Sequence, residues 1–251
     1  MSPRLAAKTF ALVLPTLNEA GNIERVLTQV SDALQGAPYD YQIIVVDDGS
    51  TDGTVTRVEK WSERDSRVRV VSRTGAKGLA GAVLHGWAQC NADLLGVMDA
   101  DLQHPAELLP QLLKETERCD IAIASRYAID DGTKGWNPIR SAISRLSTLA
   151  ASPFISKKNL GVTDPMSGFF FVRRDCLDGI VFQQTGFKLL LEILVRARIS
   201  SVREIPFAFG QRYRGASKAN VRVAIDYGRL LARLYRSRFG FSRVITDSAF
   251  D

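Results

Sequence analysis

Leu94-Leu95-Gly96-Val97-Met98-Asp99-Ala100-Asp101-Leu102-Gln103 is an apolar run that stops at two carboxylates one residue apart. A short apolar run of this kind reads as a buried strand. In an extended backbone, residues i and i+2 project to the same side, so Asp99 and Asp101 converge at the strand's end. Two carboxylates, with Gln103 as a third polar group, suit a hard divalent cation that also holds substrate phosphates. The same residues also fit an Asp101 that caps a helix opening at Pro105, or a solvated turn. The pair alone leaves these readings open.

Working outward, apolar runs at 10–14, 42–46, 68–71 and 121–124 read as further buried strands. Between them, 22–34, 52–64, 78–90 and 105–117 carry helical spacing, as in Ile23, Val26, Leu27, Val30 and Leu34. Thr51 or Asp52 is placed to cap the second of these helices, and Pro105 to sit in the first turn of the fourth. Five strands alternating with helices predict an α/β domain whose mostly parallel sheet is covered on both faces. In open sheets of this kind ligands bind beyond the carboxyl ends of the strands. There the first strand ends in Pro15-Thr16-Leu17-Asn18-Glu19, the second in Asp47-Asp48-Gly49-Ser50-Thr51-Asp52, and the fourth in Asp99-Ala100-Asp101. Carboxylates crowded along one rim repel each other unless a cation or hydrogen-bond donors are present. The rim is therefore the candidate site.

Composition narrows the class. At 251 residues, 45% hydrophobic and 24% charged, the chain is long enough for one large domain with a sizeable core. Three widely spaced cysteines, without metal-ligand spacing, read as reduced thiols. No secretory signal pattern opens the sequence, and no apolar stretch reaches the roughly 18–20 residues that span a bilayer. The first strand is not followed by Gly-x-Gly-x-x-Gly, which argues against a dinucleotide oxidoreductase, and no P-loop motif is present. Gly75-Ala76-Lys77-Gly78 reads as a turn with a solvated Lys77, and neither His85 nor His104 is placed as a catalytic base.

The second half is less regular. A helix is expected at 137–151, strands at 169–172 and 202–209, and a helix at 188–197, with a polar loop at 211–218. The net charge is +6, and positions 201–251 carry ten Lys or Arg against four Asp or Glu. In a helix expected over 219–237, Arg222, Arg229, Arg233 and Arg236 share one face, while Val223, Tyr227, Leu230 and Leu234 share another. A basic amphipathic helix fits a membrane interface, and equally a surface helix packed on its own domain. The expected partition is a catalytic domain, 1–218, and a basic C-terminal helix and tail, 219–251. No aromatics interleave the basic face, so nucleic acid is not expected as a partner.

Seven segments in order resemble the inverting nucleotide-sugar glycosyltransferases of the GT-A fold, a Rossmann-like architecture, and among them the dolichyl-phosphate mannose synthase group with its polyprenyl-phosphate glycosyltransferase relatives. They are Pro15–Glu19, Val46–Thr54, Met98–Pro105, Ser125-Arg126-Tyr127, Asp164–Phe169, Gly186-Phe187-Lys188 and Arg212–Lys218. The resemblance implies that Pro15, Asn18, Glu19, Asp47 and Asp48 line the nucleotide pocket, with Asp47 near the base. It implies that Asp99, Asp101 and Gln103 surround a Mg2+ or Mn2+ ion and the donor diphosphate. Arg126, Ser167, Arg212 and Lys218 would hold phosphates of donor or acceptor, and Asp101 is expected as the more direct metal ligand. Leu17 stands where many relatives have Tyr, and Ala106 where many have a second Pro. The glutamine-arginine-tryptophan signature of processive synthases is absent.

The reaction implied is one displacement at the sugar's anomeric carbon by a polyprenyl (dolichyl) phosphate, with GDP-mannose favoured as donor and UDP-glucose second. A phosphate monoester is largely ionised near neutral pH and needs no strong base. Transfer to a hydroxyl would need one, and Asp164 and Glu192 are the candidates. A metal-dependent phosphohydrolase is a third reading; haloacid-type phosphatases place their Asp-x-Asp at the first strand, not the fourth. Peripheral contact at the cytoplasmic face of a membrane is expected, with or without a membrane-anchoring subunit.

Overall fold

The computed structural model describes residues 9–75, 77–128, 160–182 and 188–208, with positions 228 and 232 beyond them. In these residues seven strands form one sheet in the order β3-β2-β1-β4-β6-β5-β7. They are β1 (Thr9–Thr16), β2 (Asp40–Asp47), β3 (Val68–Ser72), β4 (Leu94–Val97), β5 (Ile121–Ser125), β6 (Phe170–Arg173) and β7 (Val202–Pro206). The helices are α1 (Ile23–Ala33), α2 (Thr54–Ser62), α3 (Leu79–Ala88), α4 (Leu109–Glu115) and α5 (Leu189–Arg196).

Alternation along β1 builds two cores. Phe10, Leu12 and Leu14 pack with Ile23, Val26, Leu27 and Val30 of α1, Val58 of α2 and Leu109, Leu112 and Leu113 of α4. Ala11 and Val13 face the opposite way, onto Ala80, Val83 and Trp87 of α3 and Leu190 and Leu194 of α5. The chain steps outward from β1 to β3 through helices on one face, then returns through α3 on the other to place β4 beside β1. Right-handed crossovers require this change of face when the direction of travel reverses. The reversal between β1 and β4 leaves a crevice at their carboxyl ends.

Two glycines set packing distances. A Cβ on Gly96 would stand 2.4 Å from Phe171 Cε1, its register partner on β6, so the ring lies over the bare backbone. A Cβ on Gly86 would stand 2.7 Å from Val13 and 2.9 Å from Val46, so α3 approaches the sheet closely.

The sheet is mixed. β6 runs antiparallel to both β4 and β5 and separates them, while β7 lies parallel beside β5. The segment joining β5 to β6 leaves and re-enters at the same rim, so the strand that follows has to run away from that rim. Pro105 is extended (ψ 112); a single 3-10 turn follows over Ala106–Leu108, and Pro110, not Pro105, occupies the first turn of α4. α2 begins at Thr54, later than expected, after Gly53 in the left-handed region (φ 90).

The helix expected over 137–151, Arg212, Lys218 and most of the helix expected over 219–237 lie outside the described residues. Among the described residues no helix is long and apolar enough to cross a membrane.

Candidate active site

One rim of the sheet carries the carboxyl ends of β1, β2, β4 and β5 and, because β6 is antiparallel, the residues that enter β6. Asp47 and Asp48, Asp99 and Asp101, Arg126, and Asp164 to Gly168 thus belong to one edge.

The β1 and β2 loops are fastened together. Asp47, 1% exposed, accepts the N–H groups of Gly49 and Ser50 at 2.9 and 2.8 Å on Oδ2, and the Ser50 and Thr16 hydroxyls on Oδ1. Its first task is to close its own turn. Asn18, in the left-handed region (φ 57) that asparagine tolerates, accepts the Thr51 N–H at 2.9 Å and donates its own N–H to Ser50 Oγ at 2.8 Å. Asp52 takes the Ala20 N–H on one oxygen and the Thr54 N–H and hydroxyl on the other, so it does cap α2, from just outside it. Glu19 accepts from Asn22 Nδ2 at 2.7 Å and its N–H donates to Thr54 Oγ1. Asp48 pairs with Arg73 at 2.7 Å, both side chains buried, and accepts the Gly78 N–H. Lys77 lies across the turn: a Cβ on Gly49 would stand 3.3 Å from its Nζ. Pro15 sits half-buried in β1, one residue before its end.

At the end of β4, Asp101 is buried and accepts the Gln103 N–H at 3.1 Å. It does not cap a helix; no side chain caps the 3-10 turn or α4. Leu102 between them has φ 63, which for a leucine costs about 1–3 kcal/mol. Its side chain packs on the core beneath, which holds the turn in place. Asp99 is less deeply buried and lies against Gly168, where a Cβ would stand 2.6 Å from its Oδ2 and 3.0 Å from its Cγ. Gly168 supplies room, not a special φ.

Arg126 and Asp164 form a two-pronged pair, Nε to Oδ2 and Nη2 to Oδ1, each 2.7 Å, and Asp164 also accepts the Arg126 backbone N–H at 3.0 Å. Asp164 has no exposed surface. Burial alone would lower the Arg126 pKa, but the hydrogen bonds and charge of Asp164 outweigh it and raise it. Glu204 of β7 accepts the N–H groups of Thr163 and Asp164, both at 2.9 Å, and fixes the loop from below. Ser167 spends its hydroxyl on the Ala124 carbonyl at 2.7 Å, joining this loop to β5.

Two further groups reach the same charges. His104 is buried between Phe169 and Phe207; burial pushes its pKa down to about 4, with Arg126 acting the same way and the Asp101 and Asp164 charges opposing. The ring is neutral at pH 7. Lys188, just ahead of α5, lies within charge–charge reach of Arg126, Asp164 and Asp99. Burial draws its pKa below the usual lysine range, Arg126 adding to this and the two carboxylates opposing. Asp164 as the partner of Arg126, Gly168 as the space for Asp99, and Lys188 carried no role in the reading of the residues; the segments Asp164–Phe169 and Gly186–Lys188 were the signal that could have found them.

Residues 11–181 match the family described as Glycosyl transferase family 2. The chain belongs to glycosyl transferase family 2. Its relatives include a dolichol-phosphate mannosyltransferase of Pyrococcus furiosus, 37% identical over 95% of this chain and 67% of that protein. A dolichol-phosphate mannosyltransferase of Saccharomyces cerevisiae is 32% identical over 96% of this chain and 92% of that protein. Membership makes the chain a hexosyltransferase. In fold it is similar to glucosyl-3-phosphoglycerate synthase of Mycobacterium tuberculosis, solved with Mn2+, UDP and glucosyl-3-phosphoglycerate: TM-score 0.68, 21% identity, 94% of this chain and 81% of that one. The same synthase solved with Mg2+ and UDP gives a TM-score of 0.66 at 22% identity, over 94% of this chain and 81% of that one. The family 2 glycosyltransferase therefore has the GT-A architecture that its seven segments implied.

Proposed function

We propose that this family 2 glycosyltransferase moves mannose from GDP-mannose onto a polyprenyl (dolichyl) phosphate, inverting the anomeric centre, at the rim formed by β1, β2, β4 and the loop entering β6. The observation that carries this reading is the state of the two carboxylates that could serve as a base for a hydroxyl acceptor. Asp164 is buried and held by Arg126 on both oxygens, and Glu192 is paired with Arg196 one turn along α5. An acceptor that arrives already ionised needs neither.

The residues at the end of β4 fit a hard divalent ion. The donor set is all oxygen, and Gly168 lets the Asp99 carboxylate lie against its backbone at this edge. Among the described residues no group of three His, Cys, Asp or Glu forms a complete cage. Mg2+ and Mn2+ need no such cage, since they take one or two carboxylates and complete their shell with substrate phosphates and water. Asp99, Asp101 and Gln103 would hold the ion, which when bound offsets negative charge on the departing diphosphate. The fastened loops at 15–19 and 47–54 present a rigid wall for the nucleoside. Arg126, held by Asp164, would meet phosphate, and Arg212 and Lys218 would add further cations. Contact with the membrane is peripheral in this reading, made by the basic segment 219–251, with or without an anchoring subunit.

The test is transfer of radiolabelled mannose from GDP-mannose to a polyprenyl phosphate in detergent, with Mn2+ or Mg2+ and with chelator. Lipid-linked mannose that disappears with chelator is expected. Product from UDP-glucose alone would move the assignment to a glucosyltransferase, and no product from any GDP- or UDP-sugar would sink it.

Gly168→Ala follows from the same geometry. The new methyl displaces the Asp99 carboxylate by several tenths of an ångström or more, because 2.6 Å is too close for a carbon–oxygen contact. A misplacement approaching 1 Å at a reacting centre costs on the order of 10²-fold in rate. The expected result is a fall in kcat/KM of about 10- to 100-fold with a weaker metal response, while the urea midpoint moves little. A variant with normal turnover and normal metal response would remove Asp99 from the site.

A further inference from the structure

The turn that carries Asp101 and Gln103 is pinned through the residues that alternate with them. Leu102, at φ 63, is a strained position, and strain of this kind persists only where the surroundings over-determine it. Its own side chain packs on the core beneath. Beyond Gln103 the anchor is His104, 5% exposed. Its ring centroid lies 5.7 Å from that of Phe169 at an interplanar angle of 75°, and 5.7 Å from that of Phe207 at 39°. Edge-to-face and tilted contacts at such distances are favourable for aromatic rings. Both phenylalanines are themselves fixed to β5. The Phe169 carbonyl accepts the Ala124 N–H at 2.9 Å, and the Phe207 N–H donates to the Ser125 carbonyl at 3.1 Å. Phe169 also follows Gly168, the residue against which Asp99 lies. His104 thus joins the turn after β4 to the residue entering β6 and to the residue leaving β7.

Resting on the ion site proposed above, we infer that His104 is a positioning residue for the divalent ion: wedged between Phe169 and Phe207, its ring holds Asp101 and Gln103 in register with Asp99. The ring acts by shape. Burial pushes its pKa down to about 4, so at pH 7 it brings no charge of its own to the acidic edge. Asp99 takes its place from Gly168, and the turn takes its place from Phe169 next to it, so both parts of the donor set are referenced to two consecutive residues. Without the ring the strain at Leu102 is free to relax, and the turn moves with it. The carboxylate of Asp101 stays in the chain but is no longer held where an ion shared with Asp99 needs it. Small hard cations tolerate little departure from their preferred geometry.

The electron paramagnetic resonance signal of free Mn2+, followed in the presence of GDP, gives the dissociation constant of the ion without reference to turnover. His104→Ala is expected to raise that constant by about 10- to 100-fold, the range for residues that orient metal ligands from behind. His104→Phe keeps a ring of similar outline and should stay near the parent. Phe207→Leu loosens the wedge from a residue outside the donor set and should weaken the ion in the same direction. The double variant should bind no more weakly than His104→Ala alone, because both changes act through one contact. Transfer should follow the ion: His104→Ala is slow at low Mn2+, and excess Mn2+ recovers most of its kcat. A merely structural histidine would lower the urea midpoint and leave the Mn2+ constant unchanged at temperatures where the variant is folded. That result overturns the inference, as does an equal loss in His104→Phe and His104→Ala, or a parent that binds no Mn2+. If His104→Ala does not fold, Phe207→Leu decides, and an unchanged constant there overturns it. A parent that binds Mn2+ with GDP but transfers no sugar sinks the function reading alone, and the same constants still decide the role of His104.

Discussion

Asp101→Asn should reduce mannose transfer by about 10³-fold while leaving the protein folded, since several kcal/mol of charge stabilisation are lost at the departing diphosphate. Asparagine has the same shape, and its Oδ1 can still accept the Gln103 N–H that Asp101 accepts at 3.1 Å. The turn through Leu102 should therefore persist. What disappears is the negative charge at the buried end of β4. Removing a buried negative charge two residues from Asp99 relieves repulsion, so the urea midpoint should stay the same or rise slightly. The pair of measurements distinguishes function from architecture: a large loss in kcat with an unchanged midpoint assigns Asp101 to the reaction. Turnover at the parent rate in Asp101→Asn would return the residue to a turn-forming role.

The positions and shared direction of β1 to β4 are legible in the chain because each of those strands is a short apolar run between polar loops, with helices between them. Ile43, Ile44, Val45 and Val46 are all buried, as a strand covered on both sides requires. From that direction the rim follows, and with it the placement of the Asp47 and Asp99–Asp101 segments on one edge. The direction of β6 is not legible. Phe169-Phe170-Phe171-Val172 reads equally well in either orientation, and its pairing depends on where the chain re-enters the rim after a long excursion. The roles within the site are hidden for a related reason. Asp164 and Arg126 are 38 positions apart and meet only because β5 and the loop entering β6 end at one edge. Gly168 matters for the side chain it lacks, which only the distance to Asp99 reveals. Asp47 is visible as a rim carboxylate, but its four bonds to its own turn and to Thr16 exist only in the folded chain.

Asp164→Asn tests whether Arg126 is held in place for phosphate or is simply part of the framework. Breaking a buried pair on one side leaves an uncompensated charge and costs about 3–5 kcal/mol. Here the amide would have to face a guanidinium and a backbone N–H with one acceptor oxygen where the carboxylate uses two. Glu204 would still hold the Thr163 and Asp164 N–H groups, so the loop keeps one anchor to β7 and the variant should fold. Its urea midpoint should drop sharply, and transfer should fall even at temperatures where it remains folded. The companion variant Arg126→Met/Asp164→Leu removes both charges together, and well-packed apolar replacements of a buried pair are often neutral or stabilising. Stability should return in the double variant, whereas activity should not, because the Arg126 guanidinium is gone from the rim. Recovery of both would make the pair a structural element alone. Recovery of stability without transfer would assign Arg126 to the reaction rather than to the framework.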